Sequence, residues 1–122
     1  MANILLVDDE EQLRSMVRLV LEDAGHQVQE AGDGKEALES FKKQRPDVVV
    51  TDLVMPNKEG IETIIELRRS CRDVKIIAMS GGGRNNADDY LILAKRFGAC
   101  VTLTKPFANK EMIEAVNTAL AN

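Results

Sequence analysis

The chain has 122 residues, of which 44% are apolar and 30% charged, and it carries a formal net charge of −4. This length suits one ordinary domain that buries about two-thirds of its unfolded surface, so residues 1–122 read as a single domain. Lys and Arg are scattered, without the basic stripe of a nucleic-acid surface, and no apolar run nears the roughly 20 residues of a membrane span.

Asn3–Val7 opens the chain as an apolar strand. Leu13, Met16, Val17, Val20, Leu21 and Ala24 then recur at helical spacing, and Gly25 stops that helix. Gln27–Ala31 is a second strand. Asp33 occupies an N-cap position, with Glu36 three residues on, for a helix carrying Ala37, Leu38 and Phe41. Asp47–Asp52 is the third strand, and Ile61, Ile64 and Ile65 mark the next helix. Val74–Ser80 is the fourth strand, followed by a helix through Tyr90 and Phe97. On that helix Tyr90, Leu93, Ala94 and Phe97 share the expected core face, leaving Ile92 on the solvent side with Asp88, Lys95 and Arg96. Cys100–Thr104 is the fifth strand, and Met112, Ile113, Val116 and Leu120 lie on the last helix. The methionines and Phe41 are expected in the core, and His26 on a surface loop. Cys71 and Cys100 lack CxxC spacing and no signal-peptide pattern opens the sequence, so the expected setting is cytoplasmic.

Five strands alternating with five helices predict an α/β fold, a parallel sheet with helices on both faces. The first, third and fourth strands are nearly unbroken apolar runs, as interior strands are, whereas QVQEA and VTLT alternate, as edge strands do. A doubly wound sheet of order 2-1-3-4-5, the flavodoxin-like arrangement, puts those two at its edges. Ligands of such sheets bind beyond the carboxyl ends of the strands, at the switch point between the first and third. Asp8 and Asp9 end the first strand, Asp52 the third and Ser80 the fourth, and Lys105 follows the fifth. Three carboxylates gathered there would force at least one pKa upward unless a cation intervened. Mg²⁺ suits them, because it takes one or two carboxylates and keeps positions open for phosphate oxygens. Lys105 adds a point charge for phosphate, and Ser80 a hydroxyl that can donate to a phosphoryl oxygen.

Asp8-Asp9, the stretch VVVTDLVMPNKEG at 48–60, Ser80, KPF at 105–107 and AGDGKEAL at 31–38 together resemble a bacterial response-regulator receiver domain, over essentially the whole chain. The resemblance implies that Asp52 accepts a phosphoryl group from a phosphohistidine of a histidine kinase or phosphotransfer protein. It implies direct Mg²⁺ ligation by Asp9, Asp52 and the backbone carbonyl of Val54, with Asp8 acting through water. Lys105 would pair with the phosphoryl group, Ser80 would move to meet it, and the Lys105–Pro106 peptide would be cis. The implied protein is no turnover enzyme: it catalyses only its own phosphorylation and dephosphorylation. It signals to a downstream protein through the surface of its fourth helix, fifth strand and fifth helix, either alone or as part of a longer chain.

Two features depart from the family pattern. Thr102 stands where receivers commonly carry Tyr or Phe, three residues before the lysine, and GGGRNN lengthens the segment after Ser80. Phosphorylation is therefore expected to act through Ser80 and residues 81–89, shifting the fourth helix, with little rotamer signalling at Thr102. SGGGR at 80–84 lacks the Lys-Ser/Thr ending of a P-loop. Three other functions compete with the receiver. A Mg²⁺-dependent aspartyl-phosphate phosphatase of the haloacid dehalogenase type wants a second acid where Val54 stands. A flavin- or nucleotide-binding module wants a first loop less acidic than DDEE. A non-phosphorylated interaction scaffold has no use for the Asp52 and Lys105 set.

Overall fold

The runs ILLV, VVVT and IIAM, residues 4–7, 48–51 and 76–79, form the three inner strands of a five-stranded parallel sheet. The computed structural model describes residues 2–53, 60–81, 92, 94–96 and 98–121. Its elements are β1 (Asn3–Val7), α1 (Glu11–Asp23), β2 (Gln27–Ala31), α2 (Gly34–Lys43), β3 (Val48–Asp52), α3 (Gly60–Ser70) and β4 (Lys75–Gly81). A helix α4, described at residues 92 and 94–96, precedes β5 (Val101–Lys105) and α5 (Asn109–Ala121). The strand order is β2-β1-β3-β4-β5, so the expected topology holds. β1 and β3 are buried almost throughout, while β2 and β5 are partly exposed, as their alternating sequences predict. The third to fifth strands each begin one residue later than expected, and Lys105 closes β5 instead of following it.

Because side chains alternate along a strand, each inner strand feeds two cores. Leu5, Val7, Val49, Ile76 and Ala78 pack with Ala37 and Phe41 of α2, Ile64 and Leu67 of α3 and Ala94 of α4. Ile4, Leu6, Val48, Val50, Ile77 and Met79 pack on the other face with Val17 and Leu21 of α1 and Met112, Ala115, Val116 and Ala119 of α5. Phe41, Met79 and Met112 are buried as expected. Met16 is not: it is 53% exposed, and Leu19 and Leu120 also face solvent. The apolar stripe of α1 is wider than the arc its neighbours can cover, and burial stops at Val17 and Leu21.

Ile92 is exposed beside Lys95 and Arg96 while Ala94 is buried, in agreement with the helical periodicity. The expectations for Val54, residues 82–89, Tyr90, Leu93, Phe97 and the Ile61 side chain lie outside the described residues. His26 is half-buried, and its Nδ1 accepts the Ala2 N–H at 3.2 Å. Among the described residues no helix is long and apolar enough to cross a membrane.

Asp33 caps α2 as its sequence position predicts, its carboxylate accepting the Glu36 N–H at 2.8 Å. Replacing it leaves an orphan N–H at the helix start. Asp33→Ala is therefore expected to lower stability by about 1 kcal/mol in urea unfolding, and an unchanged midpoint would contradict the capping role.

Candidate functional site

The parallel register levels the strand ends. Val7 pairs with Thr51, Asp52 with Met79, Ser80 with Thr104 and Gly81 with Lys105. Asp8 follows Val7 and Asp52 follows Thr51, so two acids emerge side by side at the middle of the sheet. Ser80 stands on the neighbouring strand, one residue beyond the partner of Asp52, and is buried. Lys105 enters from the edge strand, with a side chain only 13% exposed.

One oxygen from each of Asp8, Asp9 and Asp52 lies within 4.8 Å of the others. Asp8 and Asp52 are buried, whereas Asp9 is exposed. The Lys105 Nζ donates to Asp8 Oδ2 at 2.9 Å and approaches Asp52 Oδ2 at 3.6 Å and Glu10 Oε1 at 3.7 Å. Asp8 Oδ1 accepts the Glu10 N–H at 2.9 Å, and Asp52 Oδ1 accepts the Leu53 N–H at 3.0 Å. Both oxygens of Asp8 are thus engaged. The structure therefore brings Asp8, Asp9, Asp52 and Lys105 into one cluster with Ser80 at its edge. Val54 lies outside the described residues, and Lys105–Pro106 is cis, as the resemblance implied.

Burial pushes the Asp52 carboxyl up to about 6, and the neighbouring charges of Asp8 and Asp9 push the same way; Lys105 and the Leu53 N–H oppose them. Burial alone would lower the Lys105 ammonium, but its hydrogen bond to Asp8 and the fields of Asp52, Asp8 and Glu10 raise it above its ordinary value. The cluster therefore has more negative charge than one ammonium offsets. A hard divalent cation fits the donor set, three carboxylates at an edge open to solvent through Asp9.

Three contributors were not evident from the sequence. Gly60 opens α3 against the acid: a Cβ there would lie 2.3 Å from the Asp52 carbonyl oxygen and 2.5 Å from the Leu53 Cα. Only a glycine lets the helix start so close, and its N–H donates to the Leu53 carbonyl at 2.9 Å. Glu10 adds a third carboxylate beside Lys105. Arg14 donates from Nη1 to the Asp8 carbonyl oxygen at 2.7 Å. Glu10 was visible only as part of the acidic run DDEE, and Gly60 only as a glycine at the start of a helical pattern and not at its end.

Residues 4–117 match the family model of the response regulator receiver domain. The chain belongs to this family. The receiver is 36% identical over 115 residues to the chemotaxis protein CheY of Thermotoga maritima, spanning 93% of both chains. It is 32% identical over 117 residues to sporulation initiation phosphotransferase F of Bacillus subtilis, spanning 96% of this chain and 92% of that one. The solved chemotaxis response regulator CheY4 of Vibrio cholerae superposes with a TM-score of 0.86 at 32% identity, over 98% of this chain and 99% of that one. NtrX of Brucella abortus reaches a TM-score of 0.92 at 30% identity, but 98% of the receiver covers only 27% of that chain. The receiver thus spans nearly all of some relatives and about a quarter of another. It is a signalling domain, not a classical enzyme.

The raised Asp52 carboxyl has a consequence for stability. Between its ordinary value near 3.8 and about 6, the folded receiver holds a proton that the unfolded chain has lost. Its contribution is therefore fully present below the ordinary value and is lost as pH rises through about 6. In EDTA, Asp52→Asn should be more stable than the parent at pH 7.5 by about 1–3 kcal/mol, and the difference should vanish towards pH 4. Urea unfolding across that range measures it, and a difference independent of pH would contradict the assignment.

Proposed function

We propose that residues 1–122 form one receiver domain that takes a phosphoryl group from a phosphohistidine onto Asp52 and passes the change to a protein partner. The observation that carries this reading is the Asp52 carboxylate, 3.6 Å from Lys105 and grouped with Asp8 and Asp9 within 4.8 Å. Asp52 Oδ2, the oxygen nearer Lys105, is the nucleophile, since Oδ1 is occupied by the Leu53 N–H. A bond forms from this oxygen to phosphorus as the phosphorus–nitrogen bond breaks, and the electron pair of that bond returns to the imidazole nitrogen. The product is an acyl phosphate, which water later cleaves. Lys105 pairs with the phosphoryl oxygens, and the Ser80 hydroxyl donates to one of them. The receiver thereby catalyses its own phosphorylation and dephosphorylation and turns over no external substrate.

Asp9, Asp52 and the Val54 carbonyl would hold Mg²⁺ directly. Asp8, with both oxygens engaged, would act through water. When bound, the ion supplies positive charge where the transferring oxygens gather negative charge. The donor is a histidine kinase or a histidine phosphotransfer protein of the cytoplasm, and a relative named as a phosphotransferase supports that class. Phosphorylation adds roughly −1.5 to −2 of charge, enough to bias the surface of α4, β5 and α5, where Ile92 stands exposed. With Thr102 in place of an aromatic residue, the change travels through Ser80 and the segment after it.

Acetyl phosphate with Mg²⁺ tests the acceptor. Intact mass should show one phosphoryl group on the parent and none on Asp52→Asn, and equal labelling of both would sink the assignment. Repeated turnover of acetyl phosphate, in place of a phosphoprotein that hydrolyses slowly, would favour the phosphatase instead. Thermal melts test the metal separately. Millimolar Mg²⁺ should raise the melting temperature of the parent by a few degrees, and Asp9→Ala should lose most of that rise. A parent that ignores Mg²⁺ has no such site.

A further inference from the structure

The peptide that joins Asp8 to Asp9 is clamped by a side chain outside the acidic cluster. The Arg14 guanidinium, only 18% exposed, donates through Nη1 to the Asp8 carbonyl oxygen at 2.7 Å and through Nε to Glu30 Oε1 at 2.9 Å. The Asp8 carbonyl belongs to the planar unit that carries both acids, so fixing that oxygen fixes the direction in which Asp9 leaves the chain. The same turn is held on its other side, where the Asp8 N–H donates to the Ala31 carbonyl at 3.1 Å. Glu30 and Ala31 are neighbours at the end of β2, so the first two acids take their orientation from the edge strand.

We infer that Arg14 is a positioning residue for the cation site, aligning Asp8 and Asp9 through the peptide between them. The inference rests on the proposed reading of Asp8, Asp9 and Asp52 as metal-binding acids. Its hydrogen bonds go to a carbonyl and to Glu30, so the guanidinium orients the cluster without occupying its carboxylate oxygens. A planar fork can hold those two acceptors at once, whereas an ammonium on a flexible stem cannot hold both in fixed directions. The Glu30 carboxylate is itself held by Arg18, whose Nη1 lies 2.6 Å from Glu30 Oε2. Arg14→Lys keeps a cation beside Glu30, so in that variant the effect should appear in metal affinity and not in unfolding. Residues that orient metal ligands typically change affinity by about 10–100-fold when replaced.

Calorimetric titration with Mg²⁺, without any phosphodonor, tests the role. Arg14→Ala and Arg14→Lys should each weaken Mg²⁺ binding roughly 10-fold, with the urea midpoint of Arg14→Lys close to that of the parent. Arg18→Ala, which breaks the far side of Glu30 without touching the Asp8 peptide, should stay within about twofold of the parent. Parental affinity in Arg14→Lys would mean that charge alone matters and would overturn the orienting role. Equal weakening by Arg18→Ala would reduce the effect to general loosening of the edge and overturn it too. A parent that binds no Mg²⁺ removes the metal reading itself, and this inference with it.

Discussion

The ammonium of Lys105 meets the carboxylate of Asp8 at 2.9 Å, joining residues 97 positions apart, and the carboxyl end of the sheet is organised around that contact. A buried carboxylate without a partner is costly, and here three acids crowd within 4.8 Å. The strand order places β3 and β4 between β1 and β5, so the lysine must reach across their ends. A long stem with a compact charge suits that task, and Lys105 also lies within 4 Å of Asp52 and Glu10. The cluster still holds an excess of negative charge. Burial, helped by the charges of Asp8 and Asp9, pushes the Asp52 carboxyl upward, and the excess of acid makes the place receptive to a cation.

Rigid surroundings keep these charges from drifting apart. Both faces of the inner strands are packed, and the ladder register fixes how far each strand end projects. Gly60 brings the start of α3 against the backbone of Asp52, so the acid is held from the side as well as from the sheet. Transfer to a carboxylate depends on alignment more than on covalent help from the protein, and such packing supplies that alignment.

Much of this was legible from local pattern because the relevant signals are local. Unbroken apolar runs identified β1, β3 and β4, and alternation marked β2 and β5 as edges. Asp33 with Glu36 announced the start of α2. The site followed from topology, since Asp8, Asp52, Ser80 and Lys105 each stand at a strand end. Burial on α1 was less legible: helical spacing selects a stripe, but the packed neighbours decide how much of it is covered, and Met16 fell outside. Gly60 and Arg14 escaped for another reason. Their roles depend on distances to the backbone of Leu53 and Asp8, which no periodicity encodes.

Among the described residues no strand pairs with the outer side of β2 or of β5, and these two borders carry a further consequence. A parallel sheet with exposed borders is a template on which a second chain can add a strand. Here both border strands are five residues long. β2 bears Glu30, fastened to Arg14 and Arg18, and β5 ends in Lys105 followed by Pro106, which has no N–H to extend the ladder. An incoming strand would meet tethered charge at one border and an interrupted ladder at the other. Arg14, which holds the Asp8 peptide, and Lys105 with Pro106 behind it thus each also make a border of the sheet a poor template for a second strand.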